Sequence, residues 1–261
     1  MKLVHKLVLA LIVVPALAGS PAAHAGGPPF AASLAEGRKL PLPYGIGITL
    51  YDQLQDYRLD SLRLGIPGFD NVPLDRLAID NRITDYNVQA DVWLFPFLNV
   101  FGLVGTIDGS TEVDFGAVPL PFPLGKLAIS YDGTVYGGGA TLAAGGDRWF
   151  TSLTGVATKS DLSGDFDSSA NSLVVMPRLG VHNDHGAIWV GAMYLDTEEK
   201  HSGTIALPFL GPVPFSVDLK QKDSWNALVG LHTTIAEHWT IEVEGGFGAR
   251  SSASVTAGWR F

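Results

Sequence analysis

The side chains best able to do chemistry are charged and amide groups that recur at every second position of strand-like stretches. In residues 237–248, Glu242 and Glu244 alternate with apolar neighbours, and residues 84–95 repeat the pattern. Successive side chains of a strand point to opposite faces, so these polar groups share one face. The sequence predicts one inward-facing polar cluster, made of Asn87, Gln89, Asp91, Arg178, His232, Glu242 and Glu244.

Enclosure limits what this polar cluster can do, because buried charges are stable only when they are paired. The first interpretation is a core of charges that neutralise and hydrogen-bond one another: Asp91, Arg178, Glu242 and Glu244. A narrow solute path lined by the same charges is the second interpretation. A proton-active or catalytic cluster is the third.

Metal-binding patterns are weak. His182 and His185 flank an Asn-Asp pair, but these four residues fall in a predicted short turn, where Asn and Asp are ordinary. The acidic segment 161–167 departs from the EF-hand loop in length and ligand spacing. A solvated loop is expected there, with weak binding of divalent cations as an alternative. We predict no metal site and no cofactor.

Catalysis has one position to consider, His201-Ser202 beside Glu198 and Glu199. A nucleophile needs a base within hydrogen-bond reach, and adjacent residues rarely face each other. The chain has no cysteine, which excludes disulfides and thiol chemistry. We predict no catalytic residues and no enzymatic activity.

Strands must position the polar cluster. Ten are predicted, at 43–52, 84–95, 98–108, 127–143, 147–159, 171–182, 186–197, 217–235, 237–248 and 252–261. The gaps between them alternate between short and long, as in barrels with short periplasmic turns and longer outer loops. The predicted fold is all-β, a transmembrane antiparallel up-and-down β-barrel of about ten strands. The alternative counts are 12, since residues 57–65 could form another strand, and 8.

The composition favours closure of this sheet in a membrane. Beyond residue 25 no apolar run reaches the length of a spanning helix, yet the chain has 31 glycines, 6 tryptophans and a positive mean hydropathy. Only helices and closed barrels satisfy every backbone group in lipid. Since the chain beyond residue 25 has no spanning helix, a closed barrel is the membrane fold that the composition favours.

The N-terminus predicts export. A basic start, an apolar stretch over residues 7–18 and Ala23-His24-Ala25 form a secretory signal peptide over 1–25. Residues 26–42 are predicted to be a periplasmic leader, and 43–261 the barrel. Removing the signal leaves 15 basic against 26 acidic residues. Nucleic acid is therefore excluded as a partner.

Aromatic residues sort by strand end. A periplasmic aromatic girdle is predicted from Trp93, Trp149, Trp189, Trp239 and Trp259, while Tyr51, Tyr86, Tyr131 and Tyr194 fall toward the outer side. Amphipathic rings favour both boundaries of a membrane. This sorting favours a barrel over a soluble sandwich.

The C-terminus, SASVTAGWRF, alternates apolar and polar residues and ends on Phe261. It resembles the terminal signature of bacterial integral outer-membrane β-barrel proteins. That resemblance implies that Trp259 and Phe261 form an assembly signal read by the barrel-assembly machinery. It also implies location in the Gram-negative outer membrane, with its lipid and lipopolysaccharide as partners.

Three predicted outer loops are apolar and rich in proline, and they contain Phe69, Phe122, Phe209 and Phe215. Because proline blocks strand pairing, we expect these loops to fold over the outer mouth without extending the sheet. The alternative is a surface for a hydrophobic small molecule. The expected function is a structural or surface-binding role with a plugged lumen. A narrow porin-like channel for small or hydrophobic solutes is the first alternative, and an outer-rim hydrolase the second.

Overall fold

The computed structural model describes residues 28–35, 40–64, 78–114, 126–164, 168–207, 211–221 and 223–261. The predicted signal peptide, Phe69, Phe122 and Phe209 lie outside the described residues, and Phe215 is described by its backbone alone. No helix in these ranges is long and apolar enough to cross a membrane.

Eleven strands make up nearly all of the described chain. They are β1 (Tyr44–Leu64), β2 (Ala78–Phe95), β3 (Leu98–Asp114), β4 (Lys126–Gly145), β5 (Trp149–Gly164), β6 (Ser168–Asn183), β7 (Gly186–Leu207), β8 (Gly211–Gln221), β9 (Trp225–Ile235), β10 (Trp239–Gly248) and β11 (Arg250–Arg260). A short 3-10 helix over Ala32–Ala35 precedes them.

Ten of these strands close into an antiparallel ring, in the order β1 to β7, β9, β10, β11 and back to β1. The barrel has a shear of twelve residues. Following paired residues from Thr49 through β2–β6 leads to Glu199 of β7, whereas following them the other way, through β11, β10 and β9, leads to Ala187 of β7, twelve residues earlier. For ten strands this shear sets a tilt of roughly 40°. The predicted closed up-and-down barrel of about ten strands is confirmed.

The outer end of the barrel is narrower than the sequence predicted. The predicted strand 217–235 is two strands, β8 and β9, which pair with the upper and lower halves of β7. Above Tyr57, β8 takes the place of β9, β10 and β11 between β7 and β1. The wall therefore passes from ten strands to eight.

Several predicted outer loops are strand. β1 runs to Leu64, so residues 57–64 continue it and are not a separate strand. Residues 206–215 were expected to be a cap outside the sheet, but the described parts of this segment, 206–207 and 211–215, are paired strand of β7 and β8. Among the described residues, β8 pairs with β1 as far as Phe215, and Pro212 and Pro214 lie beyond that described pairing. A sheet edge tolerates proline, which lacks an N–H group.

An apolar belt surrounds the lower barrel. On β10, Trp239, Ile241 and Val243 are exposed while Glu242 and Glu244 turn inward, and β11 alternates in the same way. Above the belt the outward side chains become polar, as with the exposed Arg82–Asp52 ion pair. This is the alternation of a membrane barrel, lipid-facing outside and polar inside.

Inward-facing glycines let β4 lie close to β5. A Cβ at Gly137 or Gly139 would collide with a carbonyl of β5, at Ala157 and Gly155 respectively. Glycine allows so close an approach between strands and lets a barrel curve. The Gly137–Gly139 run therefore belongs to the wall.

Candidate functional site in the barrel lumen

Arg178 lies at the centre of the charged cluster. Its guanidinium contacts the Glu244 carboxylate at 2.7 Å and the Glu242 carboxylate at 3.5 Å. Glu242 and Glu244 project from β10, while Arg178 projects from β6 with its side chain 17% exposed. One cation held between two carboxylates leaves a local charge of about −1 when all three ionise.

Trp189 completes this cluster and corrects its predicted place in the girdle. It is only 5% exposed, and its indole nitrogen donates a hydrogen bond to Glu244 at 3.0 Å. The Arg178 guanidinium lies 5.2 Å from its ring centroid, within cation–π range. A Cβ at Gly230 would meet the indole ring, so this glycine makes room for it.

Asp91 does not join Arg178, contrary to the predicted single cluster. It accepts hydrogen bonds from Arg260 at 2.8 Å and from Asn99 at 2.7 Å. Arg260 also donates to the Leu42 carbonyl at 2.9 Å. These contacts form a second ionic group at the periplasmic mouth, which ties β11 to β2 and to the leader.

The other predicted polar residues line the wall between the two groups. His232 is paired in register with Glu242, but its Nε2 lies 3.2 Å from the Thr234 hydroxyl. Asn87 and Gln89 occupy the inward parity of β2, where Asn87 lies opposite Thr49. The predicted residues thus share the lumen without forming one network.

Sequence reasoning missed an apolar layer inside the narrow outer end. Ile107, Tyr131 and Leu162 are buried against one another, with Ile83 packed beside them. Tyr57 and Ile79 are each 1% exposed nearby. We call this layer the roof. Ile107 and Tyr131 lay in predicted strands, but the other residues of this layer fell in predicted outer loops, over 53–83 and 160–170.

Side-chain hydrogen bonds hold the roof. Asn81 donates to the Thr111 and Tyr131 hydroxyls, both at 2.8 Å. Tyr51 and Tyr131 were predicted toward the outer end of the barrel as part of an aromatic girdle, but both lie on the inward parity of their strands and face the lumen. The Tyr51 hydroxyl donates to Gln53 at 2.7 Å. These donors are thereby paired within the plug, whereas Asn81 Oδ1 is buried without a hydrogen-bond partner.

The periplasmic rim contains three of the five predicted girdle tryptophans. Trp149 is 51% exposed, Trp239 is also exposed, and Trp259 packs between Trp239 and His238. Trp93 follows Asp91 on the inward parity of β2 and is half-buried at the mouth. The girdle is therefore smaller than predicted.

Phe261 lies at the seam where the barrel closes. It exchanges two backbone hydrogen bonds with Tyr44, at 3.0 and 3.1 Å. The two rings also stack, with centroids 5.9 Å apart. The C-terminus therefore contributes directly to the β1–β11 closure.

The positions considered for metals and catalysis show no site. Asn183 Oδ1 accepts hydrogen bonds from the backbone of His185 and Gly186, the pattern of an ordinary turn. Among the residues described here, no group of three metal-ligating side chains comes together. His201 and Ser202 are consecutive in β7, and their side chains lie outside what is described.

Comparison with known proteins gives likeness in solved structures alone. No family model matches the chain, and no curated protein does. The transport unit of the autotransporter AIDA-I from Escherichia coli is 10% identical, with 89% of this chain and 94% of that chain covered and a TM-score of 0.43.

Two Pseudomonas putida proteins give similar values. An outer membrane channel from strain F1 is 11% identical, with 85% of this chain and 97% of that chain covered and a TM-score of 0.42. The toluene transporter TodX is 10% identical, with 89% and 91% covered and a TM-score of 0.34. By its own strand pairing, the chain is a closed ten-strand antiparallel β-barrel with an apolar outer belt.

Proposed function

We propose that the protein is exported to the Gram-negative outer membrane and acts there as an integral barrel with a plugged lumen, in a structural or surface-binding role. The observation that carries the proposal is the roof, where the wall has narrowed to eight strands. About eight strands enclose only enough space for side chains. The apolar residues of the roof fill that space, so no continuous water path is expected.

The ionic groups below the roof support the same conclusion. Arg178 reaches from β6 to two carboxylates of β10, and Arg260 reaches from β11 to Asp91 of β2. Each group bridges strands that are not neighbours. A solute path would need these pairs to separate, at the cost of exposing unpaired charge.

A role at the cell surface is supported by the length of the outer strands. β1 to β8 continue above the apolar belt, where their outward charges pair in exposed positions, as in Lys159–Asp161 and Lys126–Glu112. This outer tube would meet the lipopolysaccharide layer and the medium. Outer-membrane lipid and lipopolysaccharide are thus its proposed partners, and the barrel-assembly machinery its partner during biogenesis.

Single-channel recording in planar bilayers tests the proposal. The refolded mature chain should give no discrete openings, because the roof and the two ionic groups lie in series. A variant with Ile107→Gly and Tyr131→Ala, checked for folding by its heat-modifiable migration, should give openings and so prove that the assay detects a path. Regular openings by the wild type would overturn the plugged lumen.

A narrow channel for hydrophobic solutes is the second candidate, because the roof is apolar and could contact such a compound. Uptake of a radiolabelled aromatic compound by cells expressing the protein would favour it. Uptake unchanged by Tyr131→Ala would count against it. We propose no catalytic role for the chain.

A further inference from the structure

The barrel wall has a junction where the β10–β11 hairpin ends beneath β8. Arg250 starts β11 at this point and is paired in register with Gln55 of β1. Its backbone nitrogen donates to Asn226 Oδ1 of β9 at 3.1 Å. Gln221, the last residue of β8, is paired with Tyr57, two positions beyond Gln55. Four strands therefore bring polar side chains to one place.

These side chains are deeply buried. Arg250 is 1% exposed, Gln55 is 2% exposed and Asn226 is 3% exposed. The Arg250 guanidinium donates to the Ser224 carbonyl at 3.0 Å and to the Asp223 carbonyl at 3.4 Å, and it lies 3.8 Å from the Met193 sulfur. Within the described chain it forms no ion pair with a carboxylate. This positive charge is buried, and the exposed Asp223 carboxylate acts on it electrostatically without forming an ion pair.

Three N–H groups at the junction have no acceptor: Arg250 Nε, Gln55 Nε2 and Asn226 Nδ2. A buried donor without an acceptor is costly, and a buried charge without a counter-charge is more so. All three groups are hydrogen-bond donors that lack an acceptor. Each would be met by a negatively charged acceptor placed among the three donors.

We propose that the junction binds one small monoanion of the halide class, represented by chloride, between Arg250, Gln55 and Asn226. The site offers one positive charge, which matches one negative charge. It offers only N–H donors to the anion, which a halide satisfies without needing to donate. All three groups end rotatable side chains, so they can adjust to an ion of this size.

Larger anions fit the site less well. The nearby Gln221 Oε1 is itself a buried acceptor without a donor, so a second negative charge beside it would be repelled. Gln221 Nε2 already donates to the Leu195 carbonyl at 2.6 Å, which fixes the orientation of that amide. Phosphate and sulfate carry more charge than Arg250 can neutralise.

The ion would act as a ligand of the folded barrel, because the four strands meet only after closure. A ligand that binds the folded state alone raises stability in proportion to the logarithm of its concentration. The roof lies above the junction and the Arg178 cluster below it, so the ion is enclosed as the wall closes.

Thermal unfolding of the refolded barrel in detergent tests the proposal, with sodium chloride compared with sodium gluconate at equal ionic strength. Chloride should raise the unfolding midpoint of the wild type by about 5 °C at a concentration well above the dissociation constant. Gln55→Leu removes one donor at similar volume and should abolish most of this difference. Lys159→Gln, a change on the exposed wall, should keep it.

Equal midpoints in the two salts for the wild type would overturn the proposal, as would an undiminished chloride effect in Gln55→Leu. If Gln55→Leu does not fold, crystals of the wild type grown in bromide decide the question. An anomalous peak within hydrogen-bonding reach of Arg250 Nε is expected, and its absence would refute the site.

Discussion

Replacing Arg178 with methionine should destabilise the folded barrel more than any single change on its outer surface. Methionine keeps much of the side-chain volume but removes the cation that contacts Glu244 at 2.7 Å and Glu242 at 3.5 Å. Glu244 is only 8% exposed in its side chain. The change therefore leaves two carboxylates close together without a counter-charge.

The magnitude follows from what is removed. Breaking a buried ion pair by deleting one partner costs about 3–5 kcal/mol, because a desolvated charge remains. The cation–π contact with Trp189 adds to this loss, at about 0.5–2 kcal/mol. We therefore expect the free energy of unfolding to fall by about 3.5–7 kcal/mol at neutral pH.

Urea unfolding in lipid vesicles, followed by tryptophan fluorescence, measures this loss. Arg82→Met is the matched control, because Arg82 forms an exposed ion pair with Asp52. Exposed pairs contribute no more than about 1 kcal/mol. The triple variant with Arg178→Met, Glu242→Gln and Glu244→Gln should regain at least half of the loss, since no unpaired charge remains.

Two results would refute the reasoning. One is a loss in Arg178→Met no larger than in Arg82→Met, which would mean that water screens the pair. The other is a triple variant no more stable than Arg178→Met, which would mean that packing and not charge accounts for the effect.

Three further predictions concern neighbouring parts of the barrel. Trp189→Phe removes the hydrogen bond to Glu244 and should cost about 1.5–3 kcal/mol in urea unfolding, whereas Trp149→Phe at the exposed rim should change little. Gly139→Ala places a Cβ against the Gly155 carbonyl and the Phe101 ring and should lower the free energy of unfolding by about 1–3 kcal/mol. Gly155→Ala is the control and should be tolerated, because its Cβ would meet no atom within 4 Å. Equal losses in the two variants would contradict the packing argument. Arg260→Met removes the hydrogen bonds to Leu42 and Asp91, so trypsin should cleave the leader faster after Arg38 or Lys39, without opening the roof. An unchanged cleavage rate would show that Arg260 does not hold the leader.

The alternation of residue types determined which face of most strands turns inward. On β10 and β11 one parity is apolar and the other polar or small, so the orientation of Glu242, Glu244 and Arg260 could be read directly. The same pattern predicted the closed ring of ten strands. A one-residue shift would expose every charge to lipid, so such strands have a single acceptable orientation.

Only the tertiary structure decided the orientation of Trp189, because both parities of lower β7 are apolar and neither is excluded from lipid. Its inward position depends on Gly230 and Glu244, which come from strands distant in sequence. The partner of Asp91 was undetermined for a related reason, since Arg178 and Arg260 both face inward and only the register sets their heights. The narrowing to eight strands was also missed, because the polar run at 220–224 was taken as part of one strand over residues 217–235. In the structure the partners of this segment change there from the upper to the lower half of β7. The alternation of residue types within one strand determines whether a side chain faces the lumen or the outside. Which side chains it meets across the lumen depends on the shear and closure of the barrel, and these involve all the strands of the ring.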